Sequence, residues 1–128
     1  MKTLKLYLNK WRCGSYSADH KCRMGKGVTD LLNLEGFQCC IGQFSSQFGI
    51  PDSELVGEPN PAMLAKSGKK LPEEYVKLFL ADCLSDNSKL TRELISINDD
   101  TSITVEDKIK GIERILKENE IELEVIRG

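Results

Sequence analysis

At 128 residues the chain is long enough to bury a core without disulfide or metal staples, and it is read as one domain over 1–128. Its 40% hydrophobic and 30% charged residues exclude wholesale disorder, and no apolar run approaches the ~20 residues that span a bilayer, so no membrane partner is expected. The net charge of −2 hides a polarity. Residues 1–28 carry seven cations against the single Asp19, a net of +6, while residues 98–128 carry nine acids against five bases, a net of −4. Such a polarity suits an anionic ligand at one end or head-to-tail association into a homo-oligomer, and equally suits two solvated faces.

The first residues are too short and too interrupted by lysine for a signal peptide, so a cytoplasmic chain is expected. Thr3 to Leu8 alternates, with Leu4, Leu6 and Leu8 on one side, and predicts a half-buried strand. From Asn9 to Gly27 periodicity vanishes. A connection of that length is usually functional or anchored, and Trp11 and Tyr16 are its candidate anchors.

The uncharged stretch from Phe37 to Gly49 is the densest in sulfur, aromatic and small residues. Cys40, Phe44, Gln47 and Phe48 fall at helical spacing, which predicts a helix over about 39–48. Gly49 supplies its left-handed stop, Ile50 a contact back to the last turn, and Pro51 the terminator. Gly42 weakens that helix by roughly 1 kcal/mol relative to alanine, so it implies close approach of another element or a ligand.

Pro51 to Val56 suits one short helical turn. Residues 57–72, rich in proline, glycine and lysine, predict an exposed loop. Pro72-Glu73-Glu74 resembles a helix start, but Tyr75 to Leu80 alternates and is rich in strand formers, so a strand is predicted over 76–80. Ser88 caps a helix carrying Leu90, Leu94 and Ile97 on one face. Thr104 opens an amphipathic helix to about Lys117, stopped at Asn119. Glu120 to Ile126 alternates acid and aliphatic, a strand with one wet face. The expected class is α+β, with the N- and C-terminal strands in one small sheet and the helices packed on it.

Several chemistries compete for the polar residues. Cys13, His20, Cys22, Cys39 and Cys40 are soft ligands, but Cys-x8-Cys with one histidine matches no standard zinc pattern, so no metal is assigned. Cys39 or Cys40 at a helix N-terminus has a favoured thiolate, with His20 as the one available imidazole. The thiols therefore read as either structural or reactive. A thiol- or zinc-dependent hydrolase stays as an alternative, with no catalytic residue assigned. No cofactor motif is present.

Anion binding fits better. Lys21-Cys22-Arg23-Met24-Gly25-Lys26-Gly27 combines cations with glycines that let backbone N–H groups approach a phosphate, though it is not a P-loop. Trp11 and Tyr16 supply stacking surfaces and Arg12 a further cation. Asn98 and Asp99 offer polar partners for a ribose, or simply form a turn. The candidate ligand site is therefore Trp11, Arg12, Tyr16, Lys21, Arg23, Lys26, Asn98 and Asp99. An acidic C-terminal half opposes a long nucleic-acid track, and a small phosphate-bearing ligand suits the local charge.

Trp11-x-x-Gly14-x-Tyr16, the block Phe37-Gln38-Cys39-Cys40-Ile41-Gly42-Gln43-Phe44 running into Phe48-Gly49-Ile50-Pro51, and Leu94-Ile95-Ser96-Ile97-Asn98-Asp99 occur in that order. This order resembles a set of small, mostly uncharacterised proteins of bacteriophage and prophage genomes, with a Cys-Cys-Leu/Ile-Gly block and a downstream Asn-Asp block. Asp100 departs from the second block by adding an acid. The resemblance implies a phage accessory protein acting in the bacterial host cytoplasm and implies no reaction. Two roles follow as expectations. One is a non-enzymatic counter-defence binder that sequesters a small nucleotide signal. The other is a protein-interaction module that inhibits a host enzyme through loop 57–72 or the acidic C-terminal strand.

Overall fold

The computed structural model describes residues 2–13, 16–17, 31–32, 36, 38–68, 70–81, 86–100 and 102–127, with the backbone alone for 12, 13, 16 and 17. In chain order these residues form β1 (Lys2–Tyr7), a 3-10 turn (Leu8–Lys10), β2 (Arg12–Cys13), β3 (Tyr16–Ser17), α1 (Cys40–Gln47) and α2 (Asp52–Leu55). They continue with α3 (Pro61–Lys66), α4 (Glu73–Phe79), α5 (Lys89–Asn98), α6 (Val105–Glu118) and β4 (Ile121–Ile126). The architecture is α+β, as the alternation at both ends predicts.

β1 and β4 pair in parallel, Leu4 opposite Leu123 and Leu6 opposite Val125. Parallel neighbours need a crossover, and here nearly the whole chain supplies it. Leu4 and Leu6 are buried, and Leu123 and Val125 pack beside them against the core. The other face carries Thr3, Lys5, Glu122 and Glu124, all exposed, so one face is dry and one wet. β2 and β3 form a separate antiparallel ribbon, Arg12 opposite Ser17 and Cys13 opposite Tyr16.

Helix boundaries follow local chemistry. Cys39, Asn60, Ser88 and Thr104 each cap a helix by accepting a backbone N–H two or three residues into it. Gly49 holds φ +93°, the left-handed residue after α1. α4 and α5 share their ends: Ser88 Oγ donates to the Leu78 carbonyl at 2.8 Å, and Thr91 Oγ1 to the Phe79 carbonyl at 2.7 Å. Carbonyls left over at the end of α4 are thus satisfied by the start of α5.

Three expectations are corrected. Residues 57–72 are not all loop, because Asn60-Pro61 is a cap followed by a first-turn proline, and α3 buries Ala62 and Leu64. Residues 76–80 are not a strand. The acids Glu73 and Glu74 begin α4, whose Tyr75 and Phe79, four apart, point together into the core, and only Leu80 is extended. Phe48 meets both rings edge-on, with centroids at 5.7 and 5.8 Å. At the end of α6 the left-handed residue is Glu120 (φ 61°) and not Asn119, whose side-chain Nδ2 instead donates to the Ile115 carbonyl at 2.9 Å.

Candidate functional site

Asn98 sits at the C-terminal end of α5 and is 1% exposed. Its Oδ1 accepts two hydrogen bonds, from Trp11 Nε1 at 2.6 Å and from the Cys40 backbone N–H at 3.0 Å. Its Nδ2 donates to Asp99 Oδ1 at 2.9 Å, and its carbonyl accepts from the buried Lys108 Nζ at 2.9 Å. One residue, through its side chain and its carbonyl, therefore ties the segment after β1, the first turn of α1, the end of α5 and the first turns of α6. The ammonium of Lys108 lies at the negative end of the α5 dipole, where a cation is favoured.

The predicted site residues thus divide. Trp11, Asn98 and Asp99 do come together, across 87 residues between Trp11 and Asn98. They meet inside the protein: Trp11 has no exposed surface, so its ring cannot stack on a ligand. Arg12 and Tyr16 lie in the β2–β3 ribbon, with side chains outside the described residues, and Lys21, Arg23 and Lys26 also lie outside them. The additional acid, Asp100, is a turn former. Its Oδ1 accepts from the Ser102 N–H at 2.8 Å and from Ser102 Oγ at 2.5 Å, and these bonds hold its carboxyl below the usual carboxylate range.

The cysteine pair is a packing element. Cys39 Sγ caps α1, accepting the Gly42 N–H at 3.3 Å, and Cys40 is fully buried. With the Cys40 N–H bonded to Asn98, two N–H groups of the first turn are engaged inside the protein, which leaves little of this helix end to meet an external anion. Gly42 permits a close backbone crossing, because a Cβ there would overlap the backbone of Leu31. Among the described residues no three His, Cys, Asp or Glu side chains cluster to hold a metal ion, and His20, Cys22 and Cys83 lie outside those residues.

The open feature is elsewhere. α1 lies along the outer edge of β1, and two of its glutamines complete the strand. Gln43 Oε1 accepts the Tyr7 N–H at 2.6 Å while its Nε2 donates to the Tyr7 carbonyl at 3.1 Å. Gln47 repeats this at Lys5, with both distances 2.7 Å. A primary amide presents one acceptor and two donors, so at helical spacing i, i+4 the pair mimics a neighbouring strand. Beside them opens a groove of about 580 Å3, whose lining includes Tyr7, Lys10, Gln38, Ser46 and Asp52. Lys10 Nζ stands 6.0 Å from the Tyr7 ring centroid at its rim.

Sequence reasoning missed Lys10, Tyr7 and the glutamines. Lys10 was one of seven N-terminal cations with nothing to single it out. Gln43 and Gln47 were legible as an i, i+4 amide pair, but what they bond depends on a strand 36 to 42 residues away.

Among the described residues no helix is long and apolar enough to cross a membrane. Compared with family models, with curated proteins and with solved structures, the chain matches none of them.

Proposed function

We propose that this chain is a non-enzymatic binding protein whose ligand is a small phosphate-bearing molecule of the nucleotide class, held in the groove beside Tyr7 and Lys10. The observation that carries this reading is the place of the groove. It opens where the basic N-terminal segment leaves the sheet, and about 580 Å3 lies within the range of small-molecule sites. The Tyr7 ring offers a base a stacking face, Lys10 offers a phosphate a cation, and the rest of the lining includes amides, a serine hydroxyl, the aliphatic Leu32 and Val56, and one carboxylate, Asp52, suited to a ribose hydroxyl. Ser46 Oγ, the aliphatic hydroxyl among the described lining residues, accepts from Gln38 Nε2 at 3.1 Å and donates to the Gly42 carbonyl at 3.3 Å, with no base beside it among these partners. Capture without turnover suits the counter-defence role implied by the likeness to phage accessory proteins, in which a host nucleotide signal is removed by stoichiometric binding.

The test is a thermal-melt series with linear and cyclic mono- and dinucleotides, followed by chromatography of the recovered nucleotide. Ligand at a hundred times Kd adds about 2.7 kcal/mol, which raises Tm by several degrees. The expected result is a shift with at least one nucleotide, recovered intact, and lost in Lys10→Ala. No shift with any of them overturns the proposal, and recovery of a cleaved product transfers the chain to the hydrolases.

A further inference from the structure

The two edges of the β1–β4 sheet are treated differently. On the β1 side, the N–H and C=O of Lys5 and Tyr7 are closed by Gln47 and Gln43. Because Lys5 and Tyr7 turn those groups away from β4, Leu4 and Leu6 turn theirs toward it. A parallel ladder then engages Glu122 and Glu124 of β4 and leaves the N–H and C=O groups of Leu123 and Val125 pointing outward. Among the described residues no strand pairs with that outer edge, and no helix or turn bonds to it.

We propose that the outer edge of β4 is a strand-addition site for an extended segment of another protein in which aliphatic residues alternate with lysine or arginine. Main-chain bonds to Leu123 and Val125 supply the affinity of such sites, and side chains on alternate positions supply the choice of partner. Here both faces specify that choice. On the wet face Glu122 and Glu124 are exposed, and Lys5 lies opposite Glu124 on the inner side only. A strand added outside places its basic residues against the same two carboxylates. On the other face Leu123 and Val125 are half-buried, and added aliphatic side chains extend the apolar layer they begin.

A second copy of this chain is disfavoured as the occupant. Antiparallel pairing of β4 with itself across a two-fold axis normal to the sheet sets acid against acid or leaves both pairs of glutamates adjacent, and like charges directly opposite are destabilising. The β1 edge of another copy is already closed by glutamines. Within β1, Leu4-Lys5-Leu6 has the pattern that the β4 edge selects: Lys5 stands opposite Glu124 on the wet face and the two leucines lie on the core face.

The experiment uses the full chain and a labelled Leu-Lys-Leu-Lys-Leu-Tyr peptide, the β1 sequence with leucine in place of Lys2 and lysine in place of Thr3, so that both lysines share one face. Fluorescence anisotropy reads binding, and amide chemical shifts read the place. Expected are saturable binding that weakens with salt, shifts at the Leu123 and Val125 amides, and at least about tenfold weaker binding of the same peptide with both lysines replaced by glutamate. Val125→Pro removes one outward N–H and abolishes binding. Should that variant fail to fold, Glu122→Lys with Glu124→Lys leaves the backbone intact and inverts the preference between the two peptides. No binding of the basic peptide, no reversal by the double variant, or shifts confined to the Lys5 and Tyr7 amides overturns the proposal. So does concentration-dependent dimerisation lost in Val125→Pro, which assigns the edge to a second copy.

Discussion

The Trp11 indole N–H and the Asn98 side-chain oxygen meet at 2.6 Å, with no solvent exposure on the indole and 1% on the asparagine. The same oxygen also accepts the Cys40 N–H that opens α1. This one acceptor holds the N-terminal segment, the central helix and the end of α5 in register.

Asn98→Ala removes the acceptor that two buried donors share, each loss costing about 1–3 kcal/mol, so a loss of roughly 2–6 kcal/mol is expected. Trp11→Phe removes only one donor and costs less, about 1–3 kcal/mol including the lost packing. Urea denaturation of both variants and of the double variant checks this. The double variant is expected to fall short of the sum, because both changes break the same bond.

The two glutamines along β1 differ in burial and therefore in effect. Gln43 is 2% exposed, and Gln43→Ala leaves the partly buried Tyr7 N–H and C=O without its amide, with an expected cost of about 1–2 kcal/mol. Gln47 is exposed, so water replaces its amide and Gln47→Ala costs less than about 1 kcal/mol. Hydrogen exchange distinguishes them: the Tyr7 amide accelerates in the first variant and the Lys5 amide in the second. With both removed the β1 edge is open, and light scattering is expected to show self-association.

Gly42 and Gly111 are both helical glycines without backbone strain, yet their alanine variants are expected to differ in sign. At Gly42 a Cβ meets the backbone of Leu31, which is itself held by the Leu31 N–H bond to the Glu58 carbonyl at 2.8 Å. Overpacking against an anchored backbone outweighs the ~1 kcal/mol gain in helix propensity, giving a net loss of about 1–3 kcal/mol. At Gly111 a Cβ meets only the tip of the Ile97 side chain, which can turn aside, so Gly111→Ala is expected to fall within about 1 kcal/mol of the parent. Thermal melts of the two variants side by side decide it.

Tyr75 is fully buried, and desolvation drives its phenol well above the usual range against the opposing hydrogen bond with Ser45 at 2.8 Å. Folding therefore favours the protonated phenol. That contribution is intact below the ordinary tyrosine value of 10.0 and is lost as pH rises beyond it, because the unfolded chain ionises first. Tm measured from pH 7 to 11.5 is expected to fall in the alkaline limb. Tyr75→Phe is less stable at neutral pH, having lost the Ser45 partner at about 0.5–1.5 kcal/mol, but declines less steeply above pH 10.

Local patterns were read from the residues themselves. The alternation of Leu4 and Leu6 and of Ile121 to Val125, the caps at Ser88 and Thr104, and the Gly49-Ile50-Pro51 stop each depend on neighbours within a few positions. They carry the two terminal strands, the helices α1, α5 and α6, and the α+β class. Sequence pattern and structure diverge most where two local signals conflict. In Tyr75 to Leu80 strand propensity opposed the Pro-Glu-Glu start, and burial of Tyr75 and Phe79 on one helical face decided for the helix.

By itself, then, the sequence determined the two terminal strands and the helices α1, α5 and α6, though not α3 or α4, because caps, stops and periodicity are short-range. Only the tertiary structure decided what the polar residues do. Whether Asn98 meets a ligand or an indole, whether Cys39 reacts or caps a helix, and whether glutamines face water or complete a strand depend on which distant segment is brought alongside. An amide or thiol carries the same bonding capacity in each case, and burial selects among them because an unpaired polar group in the core is costly.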